Sequence, residues 1–172
     1  MKKFLLPLLF LFIFILESLF VQYVPDDLFG QNKIIVPHFL FAALLFLTIF
    51  VGQKQGIIYA AIFGLLFDIV YIEIIGIYLF LFPFIAYLAS KILNILQNNF
   101  LVAILITIVG IALLEVGVYE MDHLIHVTDI DFMSFLQLRF YPTLIFNALF
   151  VIIAGYPLKR LFEKHMEAMR AE

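Results

Sequence analysis

The sequence has no cysteine and no tryptophan, and only 13% of its residues are charged. Without cysteine there are no disulfides, iron–sulfur clusters or thiol nucleophiles, and the redox compartment is left open. Net charge is −3 and no basic tract occurs, so nothing suggests nucleic-acid binding. Enzyme signatures are missing as well: there is no HExxH, Walker loop, Rossmann glycine pattern or Ser-His-Asp set. What fills the chain is apolar. Hydrophobic residues make up 66%, Phe alone accounts for 22 positions, and mean hydropathy is +1.16. A soluble domain is nearer half apolar and a quarter charged. A chain this apolar cannot cover a globular surface with polar groups, so lipid is its solvent. Its 172 residues allow one compact bundle and no separate soluble domain.

A helix crossing about 30 Å of hydrocarbon needs roughly 20 apolar residues. Six runs qualify: 4–24, 35–51, 57–72, 77–90, 100–119 and 135–158, the last starting at Phe132 or Phe135. The first follows Lys2 and Lys3 like a signal peptide, but no small-residue cleavage site precedes Pro25, so it reads as a retained helix. Pro37 is expected in the first turn of the second span, where a missing N–H costs little. Gly52 to Gly56 and Glu73 to Gly76 read as tight turns. Lys91 to Asn99 reads as a loop, and Glu120 to Asp131 is the longest hydrophilic segment. The tail from Lys159 is mixed in charge and able to extend the last helix. The expected fold is one all-α transmembrane domain of six helices over residues 1–172. With the N-terminus inside, the cytoplasm receives Lys2, Lys3, Lys54, Lys91, Lys159, Arg160, Lys164 and Arg170. The outside receives only Lys33 and Arg139. That is the positive-inside asymmetry, and it places both termini in the cytoplasm.

Four ionisable residues interrupt the apolar runs: Glu17, Asp68, Glu115 and Arg139. Each costs about 2.5–3.5 kcal/mol near a bilayer centre, so each needs a reason. In the six-span topology all four fall in the outer half of the membrane, with His38 at a similar depth. One reading is a polar cluster in which the Arg139 fork holds a carboxylate bidentately. The other is that the groups snorkel to the outer interface. A proton or cation relay is a third, poorly matched to acids scattered over several spans. In the third span Gly52, Gly56, Ala60, Gly64 and Asp68 recur every four residues, a small-residue stripe that permits close helix packing and turns Asp68 toward protein. In the last span Arg139, Thr143 and Asn147 share one face. Pro142 beside them frees a carbonyl for a neighbouring polar side chain. That face reads as the inward one, unless Thr143 bonds only to its own helix. Asp122, His123 and His126, followed by Asp129 and Asp131, form a weak metal pattern in a segment read as a flexible loop, and no metal or cofactor is assigned.

Gly64-Leu-Leu-Phe-Asp68, Gly76-Ile-Tyr78 and Tyr87-Leu88, in that order, resemble the central signature of the bacterial rod shape-determining MreD family. Arg139-Phe-Tyr-Pro142-Thr143 with Asn147, closed by Tyr156-Pro157, is similar to that family's last span. The opening Lys2 to Pro7 and Glu17-Ser18 match too. The resemblance implies a non-enzymatic component of the machinery that elongates the cell and builds lateral peptidoglycan. It implies binding to the single-span protein MreC, and work alongside MreB, RodA and a penicillin-binding transpeptidase. It also implies a fold similar to the substrate-binding subunits of energy-coupling-factor transporters. A scaffold is therefore the expected role, with interaction candidates Glu17, Gly56, Ala60, Gly64, Asp68, Gly76, Glu115, Arg139, Pro142, Thr143 and Asn147. A solute-binding transporter subunit is the alternative, and a membrane enzyme or ion carrier has only the buried acids in its favour. A partner helix is expected to dock on the first or last span, with the polar face of the last span free to receive it.

Overall fold

Runs of leucine, isoleucine and phenylalanine favour helix wherever lipid or protein, and not water, surrounds the backbone, even with Pro83 and Pro157 inside helices. The structure, a computed structural model, describes residues 5–23, 33–72, 74–95 and 99–170. Residues 1–4, 24–32, 73, 96–98 and 171–172 lie outside this set, and with them Lys2, Lys3, Asp26, Asp27, Gly30 and Glu73. Among the described residues there is helix and no strand. The helices are α1 (Leu5–Tyr23), α2 (Phe39–Phe50), α3 (Gln53–Phe67), α4 (Ile77–Ile95), α5 (Phe100–Leu124), α6 (Phe132–Phe135) and α7 (Tyr141–Arg170). A π-helical turn, Asp68–Ile72, prolongs α3, and another, Leu136–Phe140, joins α6 to α7. The result is six rods. Four are long and apolar enough to cross a membrane, Leu5–Tyr23, Gln53–Ile72, Phe100–Leu124 and Phe132–Met169, while Phe39–Phe50 and Ile77–Leu93 are apolar but shorter.

α2 is the axis of the bundle. Every residue from Phe39 to Ile49 is buried, and α1, α3, α4, α5 and α7 all pack around it. Phe41 stacks on Phe82 at 4.6 Å and Phe39 lies 4.2 Å from Phe150. α3 and α4 pack backbone to backbone, because a Cβ on Gly64 would overlap the Tyr78 carbonyl. Gly56 makes the same kind of contact with Thr48 of α2, and Ala60 is fully buried between them in sequence. The small-residue stripe is thus consumed inside the molecule. The ends of α1, α3 and α5 meet the starts of α2, α4 and α7 at one end of the bundle, called the upper end below.

Several boundaries differ from those expected. Residues 33–38 are not helical, and Ile34, Val36 and His38 hydrogen-bond to the last rod in alternation, as an extended chain does. Pro37 explains part of this, since it disfavours helix at Val36 before it. α3 begins at Gln53, α4 runs through much of the expected loop to Ile95, and α5 continues to Leu124, absorbing the first part of the hydrophilic segment. Gly52 and Gly76 hold φ of 145° and 134°, which allows the chain to turn abruptly into α3 and α4.

Candidate functional site

An extended stretch inside an apolar bundle has a problem: its N–H and C=O groups cannot bond to one another. Residues 34–38 solve it by reading along α7. Leu138 O accepts from Ile34 N at 2.8 Å. Thr143 Oγ1 donates to Ile34 O at 3.3 Å and accepts from Val36 N at 3.1 Å. Asn147 Nδ2 donates to Val36 O at 2.8 Å, and its Oδ1 accepts from His38 N at 2.7 Å. Every second residue of the extended stretch faces α7, as a period of two requires. The Leu138 carbonyl is free because Pro142, four residues on, has no N–H. A backbone donor satisfies it, not the polar side chain expected from the sequence.

Glu17 takes over where α7 leaves off. Its Oε2 accepts from Leu40 N at 2.7 Å, so a carboxylate from α1 caps the start of α2. Asp68 does the same for α4. Its Oδ1 accepts from Tyr78 N at 2.8 Å, and its Oδ2 accepts from Gly76 N at 2.8 Å and Leu79 N at 3.0 Å. Gly76 ends the turn before α4 and has no side chain with which to cap, so the aspartate eight residues earlier supplies one. Glu115 of α5 is the third acid. Its Oε1 lies 2.6 Å from His38 Nε2, and its Oε2 accepts from Arg139 Nε at 2.9 Å. Arg139 Nη2 is 3.5 Å from Oε1, so the fork is close to bidentate. Glu17, Asp68 and Glu115 are all buried, as are Thr143 and Asn147; Arg139 is about a quarter exposed.

Of the readings open from the sequence, the polar cluster comes nearest, but it is divided into three separate seals at one end of the bundle. Among the described residues the Arg139 guanidinium hydrogen-bonds Glu115 and neither of the other two acids. Snorkelling into water is not what these acids do. The polar face of the last span is not free for a partner either, because Thr143 and Asn147 are spent on residues 34–38. His38 was noticeable in the sequence only by its depth, yet it joins α2, α5 and α7: its N–H bonds Asn147 and its ring bonds Glu115. Its Nδ1 is buried and has no hydrogen-bond partner among the described residues. Ser18 and Tyr71 hydrogen-bond across α1 and the first π-turn, a pairing that no local pattern announced. Both π-turns carry one of the ionisable residues, Asp68 and Arg139, and such turns are frequent where a side chain must be re-aimed. The acidic segment after α5 is ordered rather than loose: Tyr119 OH donates to Ile130 O at 2.9 Å, and Asp131 caps α6 through Ser134 N at 3.0 Å. Among the described residues no three His, Asp or Glu side chains gather as a metal site.

This arrangement of seals sits on a sequence that matches a known family. The family model of the rod shape-determining protein MreD covers residues 2–165. The chain belongs to the MreD family. It is 36% identical over 172 residues to the rod shape-determining protein MreD of Bacillus subtilis, covering the whole of both chains. It is 32% identical over 129 residues to the cell shape-determining protein MreD of Streptococcus pneumoniae, covering 74% of this chain and 76% of that one. No solved structure matches it. Membership in MreD makes this a cell-shape protein of the membrane. The hydrogen bonds described above are what give Asp68, Arg139, Thr143 and Asn147 a physical job, the closing of helix ends and of residues 34–38.

Proposed function

We propose that this MreD chain is a non-enzymatic scaffold of the bacterial elongation complex. In this reading it crosses the membrane six times with both termini in the cytoplasm. It holds the single-span protein MreC beside it, in an assembly with MreB, RodA and a penicillin-binding transpeptidase that directs lateral peptidoglycan synthesis. The observation that carries the reading is how the buried ionisable groups are used. Glu17, Asp68, Glu115 and Arg139 each close a helix end or an ion pair, and a scaffold needs such groups for rigidity alone. Depth supports the orientation. Arg139 and Lys159 are about 30 Å apart along a helix, one hydrocarbon thickness, with Lys54, Lys91, Arg160 and Lys164 gathered toward the Lys159 end. The test is co-purification of the full chain from membranes in mild detergent. A stoichiometric single-span partner supports the reading; its absence from an otherwise folded, monodisperse chain refutes it.

A second reading is a solute-binding subunit with the fold of energy-coupling-factor transporters. It draws on the interrupted second span and on His38 Nδ1. Broken helices often hold solutes at bare N-termini. Here Glu17 already occupies the start of α2, which weighs against it. A small molecule retained in stoichiometric amount, together with an ATPase module, would favour this second reading.

A further inference from the structure

α1 leans on the bundle by one face, through Leu6, Phe10, Phe14 and Glu17. Phe10 stacks on Phe162 of α7 at 6.1 Å, so the start of α1 and the late turns of α7 share the lower end of the bundle. Beside that contact the two helices part. Leu5, Leu8, Leu9 and Phe12 of α1 face Leu161 and His165 of α7 across a groove of about 560 Å³. Leu161 is also a wall of a second recess, of about 790 Å³, which holds Arg160 and Lys164 together with Glu163 and Glu167. An apolar trench thus opens, within one turn of α7, onto a charged recess.

The recess is lined by two cations and two acids, and Lys159 beside it leaves one positive charge in excess. Glu163 is taken by Lys159 at 3.7 Å. Lys159 itself lies over the rings of Phe50 and Phe100, at 5.8 and 5.5 Å. Arg160 and Lys164 have no ion pair among the described residues, and Glu167 is the one acid left to face them. A trench of this kind alone would accept any apolar occupant. The net positive mouth selects one that carries an anionic head on an apolar tail, and the half-buried His165 adds a polar atom at the junction.

We propose that the groove between α1 and α7 binds one anionic glycerophospholipid, its acyl chain along the leucines of α1 and its phosphate between Arg160 and Lys164. The site needs only that these helices lie in a membrane, so it is independent of the scaffold reading. The test uses the full chain in mild detergent, titrated with phosphatidylglycerol or phosphatidylcholine and read by native mass spectrometry. One phosphatidylglycerol is retained in preference to phosphatidylcholine. Replacing both Arg160→Gln and Lys164→Gln lowers that preference at least about tenfold. Lys54→Gln with Lys91→Gln removes two other cations and leaves it intact. Leu8→Trp, which fills the trench without touching charge, lowers retention of both lipids. Equal retention of the two lipids overturns the proposal. So does an unchanged preference in the Arg160 and Lys164 variant, or an equal loss in the Lys54 and Lys91 variant, which would mean diffuse charge attraction. A second copy of the chain, or a protein helix, found in the groove in place of lipid also overturns it.

Discussion

Replacing Asp68 by Leu removes every acceptor at the start of α4 while keeping a similar side-chain size. Three N–H groups lose their partner: Tyr78, which is buried, and Gly76 and Leu79, which are partly buried. An ordinary surface cap is worth about 1 kcal/mol. Buried donors left unpaired cost about 1–3 kcal/mol each, and the two partly buried ones fall at the low end of that range. The expected loss is then about 3–5 kcal/mol for Asp68→Leu. Asp68→Asn keeps one good acceptor oxygen and gives up the charge, so it should lose about 1–2 kcal/mol. Unfolding of the purified chain in rising SDS, followed by circular dichroism, gives the free energies. Hydrogen exchange locates the damage, which should appear first at residues 76–79. In cells, Asp68→Leu should lose the partner protein in proportion to its loss of folded bundle. A Leu variant within about 0.5 kcal/mol of the unmodified chain would refute the capping argument, since no mode of relaxation supplies acceptors in a dry place. An Asn variant as damaged as Leu would refute the graded part of it.

Other outcomes follow from the same geometry. Glu115→Ala leaves His38 and Arg139 without their shared acceptor, and should cost about 3–5 kcal/mol. A double-mutant cycle with Arg139→Leu in the same SDS assay should show strong coupling, and additive losses would mean the pair is incidental. Gly64→Ala should lower the yield of folded protein severely, because the new methyl meets the Tyr78 carbonyl. Gly117→Ala, whose methyl meets only the Leu81 side chain at 3.0 Å, should stay within about 1 kcal/mol of wild type. Asn147→Leu strips bonds from both Val36 and His38 and should cost about 2–4 kcal/mol, with exchange rising across residues 34–38. For topology, a single cysteine at position 122 should react with an impermeant maleimide in intact cells and one at position 54 should not. The opposite pattern would invert the orientation.

The sequence makes the rods legible and hides the joints. Composition and the spacing of apolar runs find all six rods, since a helix in lipid needs little beyond length and hydrophobicity. The stripe from Gly56 to Gly64 and the burial of Asp68 follow from a four-residue period. Boundaries drift wherever a helix leaves the apolar layer and continues in polar sequence, as α4 and α5 do, because hydropathy marks the layer and not the end of hydrogen bonding. The second span fails for a different reason. Ile34, Ile35 and Val36 are as apolar as any helical residues here, and their extended form is set by groups more than a hundred positions away. Pro142 and the spacing of Thr143 and Asn147 were the clues, and they read equally well as a face meant for a partner. His38 to Glu115 is likewise a contact across two helices, with no local pattern to announce it.

The interrupted second span explains why the polar residues lie where they do. α2 has 12 residues and rises about 18 Å, too little to cross about 30 Å of hydrocarbon. In the six-span reading residues 33–38 supply the rest of the crossing, and that part has no helical hydrogen bonds of its own. Such backbone is tolerable only when protein covers it. α7 covers it with Thr143 and Asn147 and the π-turn before α7 with Leu138 O, α1 closes its end with Glu17, and α5 holds its last side chain, His38, through Glu115. The same device recurs at α3 and α4 with Asp68. Each rod that rises to the upper end therefore carries a carboxylate that fastens the start of a rod that descends from it: Glu17 to α2, Asp68 to α4, and Glu115, through Arg139, to α7. An end fastened in three places cannot easily splay, while away from the groove the outer faces of α1 and α7 remain plain hydrocarbon, with Leu16, Leu19, Ile145, Leu149 and Ile153 exposed. A protein partner in the membrane would then have to recognise this bundle by the shape of those apolar faces. Polar substitutions at the seals would reach that partner only by loosening the surface it reads.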